Sequence, residues 1–115
     1  MRFVFLPPIS DRERNWASKI VVEIPELDVQ ICETRQDALS ALPTASGAYG
    51  VMDAQLLETA GALKWLACPQ AGPPPAFYFP ELVASSVIVT NMRGIFNDCI
   101  SEHVLSFVLA FSRGL

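Results

Sequence analysis

The 115 residues match the length of one domain, and a composition of 51% hydrophobic and 17% charged residues is too apolar for a disordered chain. The densest apolar stretch, residues 104–111, is broken by Ser106 and falls far short of the ~20 residues that cross a bilayer, which excludes a membrane span. A net charge of −4, with Lys and Arg scattered from Arg2 to Arg113, excludes a nucleic-acid surface, where basic residues cluster.

The first predicted strand covers residues 2–6 and ends at Pro7-Pro8, two positions without an N–H to continue a ladder. Ser10 and Glu13 then have the spacing of a capping box. The helix they open carries Trp16 and Ile20 on its apolar face and stops before Pro25. Residues 28–32 alternate as a second strand. Thr34 and Asp37 cap a short helix that ends at Pro43. A third strand is expected over residues 48–52, and Asp53 caps a short helix after it. Residues 63–68 read as a fourth strand, nearly all apolar and so expected to be buried on both faces. A stiff loop over residues 69–75 and one helical turn over 80–84 lead to a β-branched fifth strand at 87–90. Asn97 or Asp98 caps a long helix from about Cys99 to Arg113, and Gly114 is its C-cap.

Strands that alternate with helices give βα units, right-handed crossovers and a parallel sheet. The expected fold is therefore α/β, a small doubly wound domain of five strands. The N-terminal segment has one basic residue and a short apolar run, too little for a secretory signal, so a cytoplasmic location is expected. Cys32, Cys68 and Cys99 are widely spaced, no Cys-x-x-Cys occurs and His103 is the single histidine. No metal site is expected, and the three thiols read as small core residues.

The long helix has two apolar stripes. Ile100, Val104, Phe107, Val108 and Phe111 form one, and Leu105 and Leu109 form another. A helix apolar on two sides is buried on two sides. One stripe is expected on the lobe. The other is expected to meet the rest of a longer chain or a partner subunit, so self-association through this helix is expected of the isolated chain.

Ligands of open parallel sheets bind outside the carboxyl ends of the strands. Of the residues there, Gln70-Ala71-Gly72 and Asn91 to Gly94 are the most informative. Glycine admits a close backbone approach, consecutive N–H groups bind anions, and Arg93 is placed at the same mouth. No Ser/His/Asp or Cys/His set can be assembled, because His103 lies inside the long helix. No catalytic, cofactor-binding or metal-ligating residue is assigned.

The ordered run Leu63-Lys64-Trp65, Ala71-Gly72, Val89-Thr90-Asn91 with Gly94, Ser101-Glu102-His103 and Ser112-Arg113-Gly114-Leu115 resembles the D-isomer-specific 2-hydroxyacid dehydrogenases. That family has a Leu-Lys/Arg-Trp strand, a Ser/Ala-Gly turn, a Val-Thr-Asn strand and an Ala-Glu-His helix ending in Ala-Arg-Gly-Leu. The match spans residues 62–115; the first 60 residues match only as a pattern of strands and helices. The resemblance implies a flavodoxin-like substrate-binding lobe over residues 1–96, with helices on both sheet faces. Residues 97–115 become a linking helix toward an absent nucleotide-binding domain. It implies that Ala71 and Gly72 hold the carboxylate of a small 2-oxo or 2-hydroxy acid through backbone N–H groups; Arg93, from its place after the fifth strand, is expected as a second contact. Catalysis in the family uses NAD or NADP, a Gly-x-Gly-x-x-Gly fingerprint and an Arg/Glu/His set. None of these can be placed here; His103 matches the helix motif, not the catalytic histidine. The isolated chain is thus expected to bind no cofactor and to be inactive alone. Pro73-Pro74-Pro75 departs from the usual apolar-Asp continuation, and Ser101 and Ser112 stand where the family commonly has Ala.

Two other readings compete. A stand-alone module that binds small anions without catalysis would keep the lobe and its turn. A phospho-receiver would share the fold and place Asp53 after the third strand. It would also need acidic residues after the first strand and a Lys after the fifth, where Pro7-Pro8 and Asn91-Met92 stand.

Overall fold

All five expected strands form and pair in parallel in the computed structural model, which describes residues 1–115. They are β1 (Arg2–Phe5), β2 (Asp28–Ile31), β3 (Gly47–Tyr49), β4 (Trp65–Ala67) and β5 (Ile88–Thr90), in the order β2-β1-β3-β4-β5. The helices are α1 (Asp11–Glu23), α2 (Arg35–Ala41), α3 (Ala54–Thr59), α4 (Pro80–Ala84) and α5 (Asn97–Arg113). Two short 3₁₀ turns, Leu42–Thr44 and Pro75–Phe77, start around prolines that fix φ. The strands are shorter than their apolar runs, because the ladder stops where neighbours diverge into loops.

The register sorts the side chains into two faces. Val4, Ala48, Leu66 and Val89 lie in one row across β1, β3, β4 and β5. The α2–α4 layer covers this face, and Val4, Ala48 and Leu66 have no exposed surface. Each large apolar side chain buried here contributes roughly 1.5–3 kcal/mol. Phe3, Phe5, Tyr49, Trp65 and Ala67 point to the other face, where α1 is the one helix that packs.

The capping boxes form as their spacing dictates. Ser10 and Glu13 close the start of α1, and Thr34 and Asp37 close that of α2. Asp53 caps α3, its carboxylate accepting from the Leu56 N–H at 3.0 Å.

Four expectations change. The fourth strand is not buried on both faces: Trp65 is 39% exposed, because no helix covers that side of β4. Cys32 and Cys68 are buried, but Cys99 is exposed on α5. Neither Asn97 nor Asp98 caps α5, since Phe96 takes the N-cap position without a side-chain bond; Gly114 is the left-handed C-cap as expected. Neither stripe of α5 faces the lobe, for the helix projects from it with every residue but Ala110 exposed. The radius of gyration is accordingly 17.8 Å, against about 13 Å for a compact chain of this size. No helix is long and apolar enough to cross a membrane.

Candidate anion site at the carboxyl ends of the strands

Chain order reverses direction across the sheet between β1 and β3, so a crevice opens where their carboxyl ends diverge. It holds about 180 Å³ between Pro7, Pro8, Arg12, Glu13, Tyr49, Gly50 and Pro69. Gly50 makes its floor. Its φ is +136°, a Cβ there would stand 2.8 Å from the Leu6 Cβ, and its N–H donates to the Ala67 carbonyl at 3.1 Å. Only glycine fits this close approach.

The charged side chains of this crevice, Arg12 and Glu13, are already bonded to one another. The buried Glu13 carboxylate accepts from the Ser10 hydroxyl, from the Ser10 N–H at 2.9 Å and from Arg12 at 2.9 Å. These bonds, the Ser10 hydroxyl first, hold its pKa down at about 2. Arg12 also lies over the Trp16 ring, 5.1 Å from its centroid. Burial pushes the Tyr49 hydroxyl up. The two charges of the crevice thus satisfy each other.

Unsatisfied donors lie one strand further along. After β4, the Cys68 N–H donates to the Thr90 carbonyl at 2.8 Å, and the Met92 N–H donates to the Gln70 carbonyl at 3.3 Å. The loops after β4 and β5 are therefore fastened side by side. The Ala71 and Gly72 N–H groups find no acceptor in the chain. Gly72 is exposed, its φ is not positive, and a Cβ on it would meet no atom within 4 Å. Nothing in the lobe's own packing requires glycine there; its bare backbone leaves open space above the turn. Arg93 follows the fastened Met92, and its backbone N–H is held by the Asn91 side chain at 3.0 Å. Its guanidinium is exposed and has no carboxylate partner. Beside this mouth is a hollow of about 220 Å³ between Val51, Met52, Gln70, Pro74, Ala76 and Phe77.

The structure brings the loops of Ala71-Gly72 and Arg93 together, and it separates His103 from both. His103 sits on the projecting α5, edge-on to Phe107 at 4.7 Å between ring centroids. Asp53 is likewise occupied. Its carboxylate caps α3 and pairs with Arg35 at 2.7 Å, and that Arg35 bond is the main cause holding its pKa down. Such a carboxylate is not free to accept a phosphoryl group. The residue-level reading missed Arg12, Glu13 and Tyr49 as crevice walls, and Val51, Met52 and Phe77 as walls of the hollow. Their proximity arises from strand order, for which the local sequence carries no signal.

No family model and no curated protein matches the chain. Solved structures do. A D-isomer-specific 2-hydroxyacid dehydrogenase family protein from Aeromonas salmonicida superposes with a TM-score of 0.69 at 20% identity, over 99% of this chain and 36% of its own. NAD+-bound 3-phosphoglycerate dehydrogenase from Entamoeba histolytica gives 0.63 at 14% identity, over 96% and 38%. D-lactate dehydrogenase from Salmonella gives 0.63 at 13%, over 96% and 35%. The chain thus shares a fold with just over a third of the length of these dehydrogenases.

Proposed function

We propose that residues 1–115 are the carboxylate-binding lobe of an NAD(P)-dependent 2-hydroxyacid dehydrogenase. The observation that carries this reading is the pair of unpaired N–H groups at Ala71 and Gly72, in a turn fastened to the loop that bears the unpaired Arg93. The fold shared with three dehydrogenases and the ordered motifs of residues 62–115 support it.

In this reading the two amides grip the substrate carboxylate at the end of β4, and Arg93 adds a positive charge at its rim. The hollow beside Gln70 takes the substituent on C2; its walls of Val51, Met52, Pro74 and Phe77 suit an apolar one. A nicotinamide cofactor, which would be held outside residues 1–115, would supply hydride chemistry at C2. The chain's own share is to fix the substrate by one end and to exclude water on one side. Residues 1–115 hold no Gly-x-Gly-x-x-Gly, and no Arg/Glu/His set can be placed in them, so no proton or hydride step is assigned to them.

A few hydrogen bonds at about 1 kcal/mol each, on a turn open to solvent, give millimolar affinity at most. In an NMR titration with a 2-oxo acid, the amides of residues 71 and 72 are expected to move first. Shifts elsewhere while these two stay in place would overturn the assignment.

A further inference from the structure

The hollow beside the Ala71-Gly72 turn has no charged residue in its walls. Met52 and Phe77 are its buried lining, and Val51, Gln70, Pro74 and Ala76 its exposed lining. Gln70 brings the one polar side chain, a neutral amide. The loop that closes the hollow runs through Pro73, Pro74 and Pro75, three positions without an N–H to offer an anion.

The lack of positive charge extends beyond the walls. No Lys or Arg occurs between Arg35 and Lys64, or between Lys64 and Arg93, and both wall segments lie inside these gaps. Arg35 is bound to Asp53. Lys64 precedes β4, and so stands at the opposite end of the sheet from the turn. Negative charge is present instead. Glu58 on α3 and Glu81 on α4 line one recess between these helices, which follow the Met52 and Phe77 segments in the chain. Neither carboxylate has a cationic partner. Arg93 is therefore the one free cation at this mouth, and the carboxylate at C1 claims it.

We infer that the site is specific for 2-oxo acids with a single negative charge and a short aliphatic chain, and that it rejects those with a second anion on the C2 substituent. This inference rests on the carboxylate reading. A second carboxylate in the hollow would give up water against apolar walls and meet no cation. Drawing Arg93 across to it would strip that charge from C1. The like charges of Glu58 and Glu81 add repulsion on the same side. Selectivity here is set by a missing cation, so adding one should reverse it.

2-Oxopentanoate and 2-oxoglutarate share a chain length and differ at C5, a methyl group in one and a carboxylate in the other. In NMR titrations of the 115-residue chain, the amides of residues 71 and 72 report the C1 carboxylate, and the methyl groups of Val51 and Met52 report the hollow. 2-Oxopentanoate is expected to shift both sets and to bind roughly fivefold or more tightly than 2-oxoglutarate, about the effect of one unit charge repelled through water. The 5-methyl ester of 2-oxoglutarate, which keeps the oxygens but not the charge, should recover most of the difference. Ala76→Arg places a cation on the exposed lining and should close or invert the gap. Gln70→Lys repeats that test from the other side of the hollow, since Gln70 fastens the loops through its backbone carbonyl. Equal affinity for the two acids in the unaltered chain, or amide shifts with silent methyl groups, would overturn the inference and leave the carboxylate reading standing. A gap that neither added cation narrows would also overturn it. Amides that move for neither acid would overturn both.

Discussion

Glu13→Gln isolates the charge at the start of α1. Gln keeps the length of the side chain and the capping geometry but loses the anion that receives Ser10 and Arg12. Glu13 is 4% exposed, while its partner Arg12 stays largely in solvent, so the full pKa depression overstates the effect. The difference between hydrogen bonds to a charged and to a neutral acceptor, about 1–2 kcal/mol in all, is the better magnitude. The folded-state pKa of about 2 lies below the ordinary 4.5. The stabilisation is therefore fully present above pH ~4.5 and disappears as pH falls toward 2, where the wild-type carboxyl also becomes protonated. Urea unfolding of both proteins at pH 7, 4 and 2 is expected to give a gap of about 1–2 kcal/mol at pH 7 that closes by pH 2. A gap that is absent at pH 7, or that persists undiminished at pH 2, would refute this account of the charge.

The two loop glycines should respond in opposite ways. Gly50→Ala forces a Cβ against Leu6 at a φ of +136° and should cost at least about 1–3 kcal/mol. Gly72→Ala meets no atom and should leave the midpoint of thermal unfolding unchanged while weakening carboxylate binding severalfold; equal thermal losses at both sites would contradict this. Calorimetric titration of the chain with NADH should give no heat of binding at micromolar protein, and micromolar affinity would contradict the assignment of cofactor binding to a domain outside these residues.

The fold was legible because its signals are local. Ser10 with Glu13, Thr34 with Asp37, and Asp53 with Leu56 each decide a helix start within four residues, and Pro7-Pro8 ends β1 on the spot. That the strands run parallel followed from their alternation with helices, whereas their order in the sheet did not. What escaped depends on distant partners. Trp65 reads as buried within its apolar run, yet its exposure is set by the lack of a helix over β4, and Cys99 is apolar enough for a core that α5 never reaches. The α5 stripes were visible as stripes, but that neither meets the lobe is set by the placement of the whole helix, on which the stripes themselves carry no signal. At the candidate site, Ala71, Gly72 and Arg93 are singled out by position after strands. The hollow of Val51, Met52 and Phe77 was not, because three separate segments meet there.

The central claim is that the turn after β4 recognises a carboxylate through the Ala71 and Gly72 amides. The most direct measurement is a pair of amide-detected NMR titrations of the chain, one with a 2-oxo acid and one with its neutral 2-oxo amide. The acid is expected to shift residues 71 and 72 with a millimolar dissociation constant, and the neutral amide to leave them unmoved. Equal shifts from both compounds, or none from the acid, would contradict it.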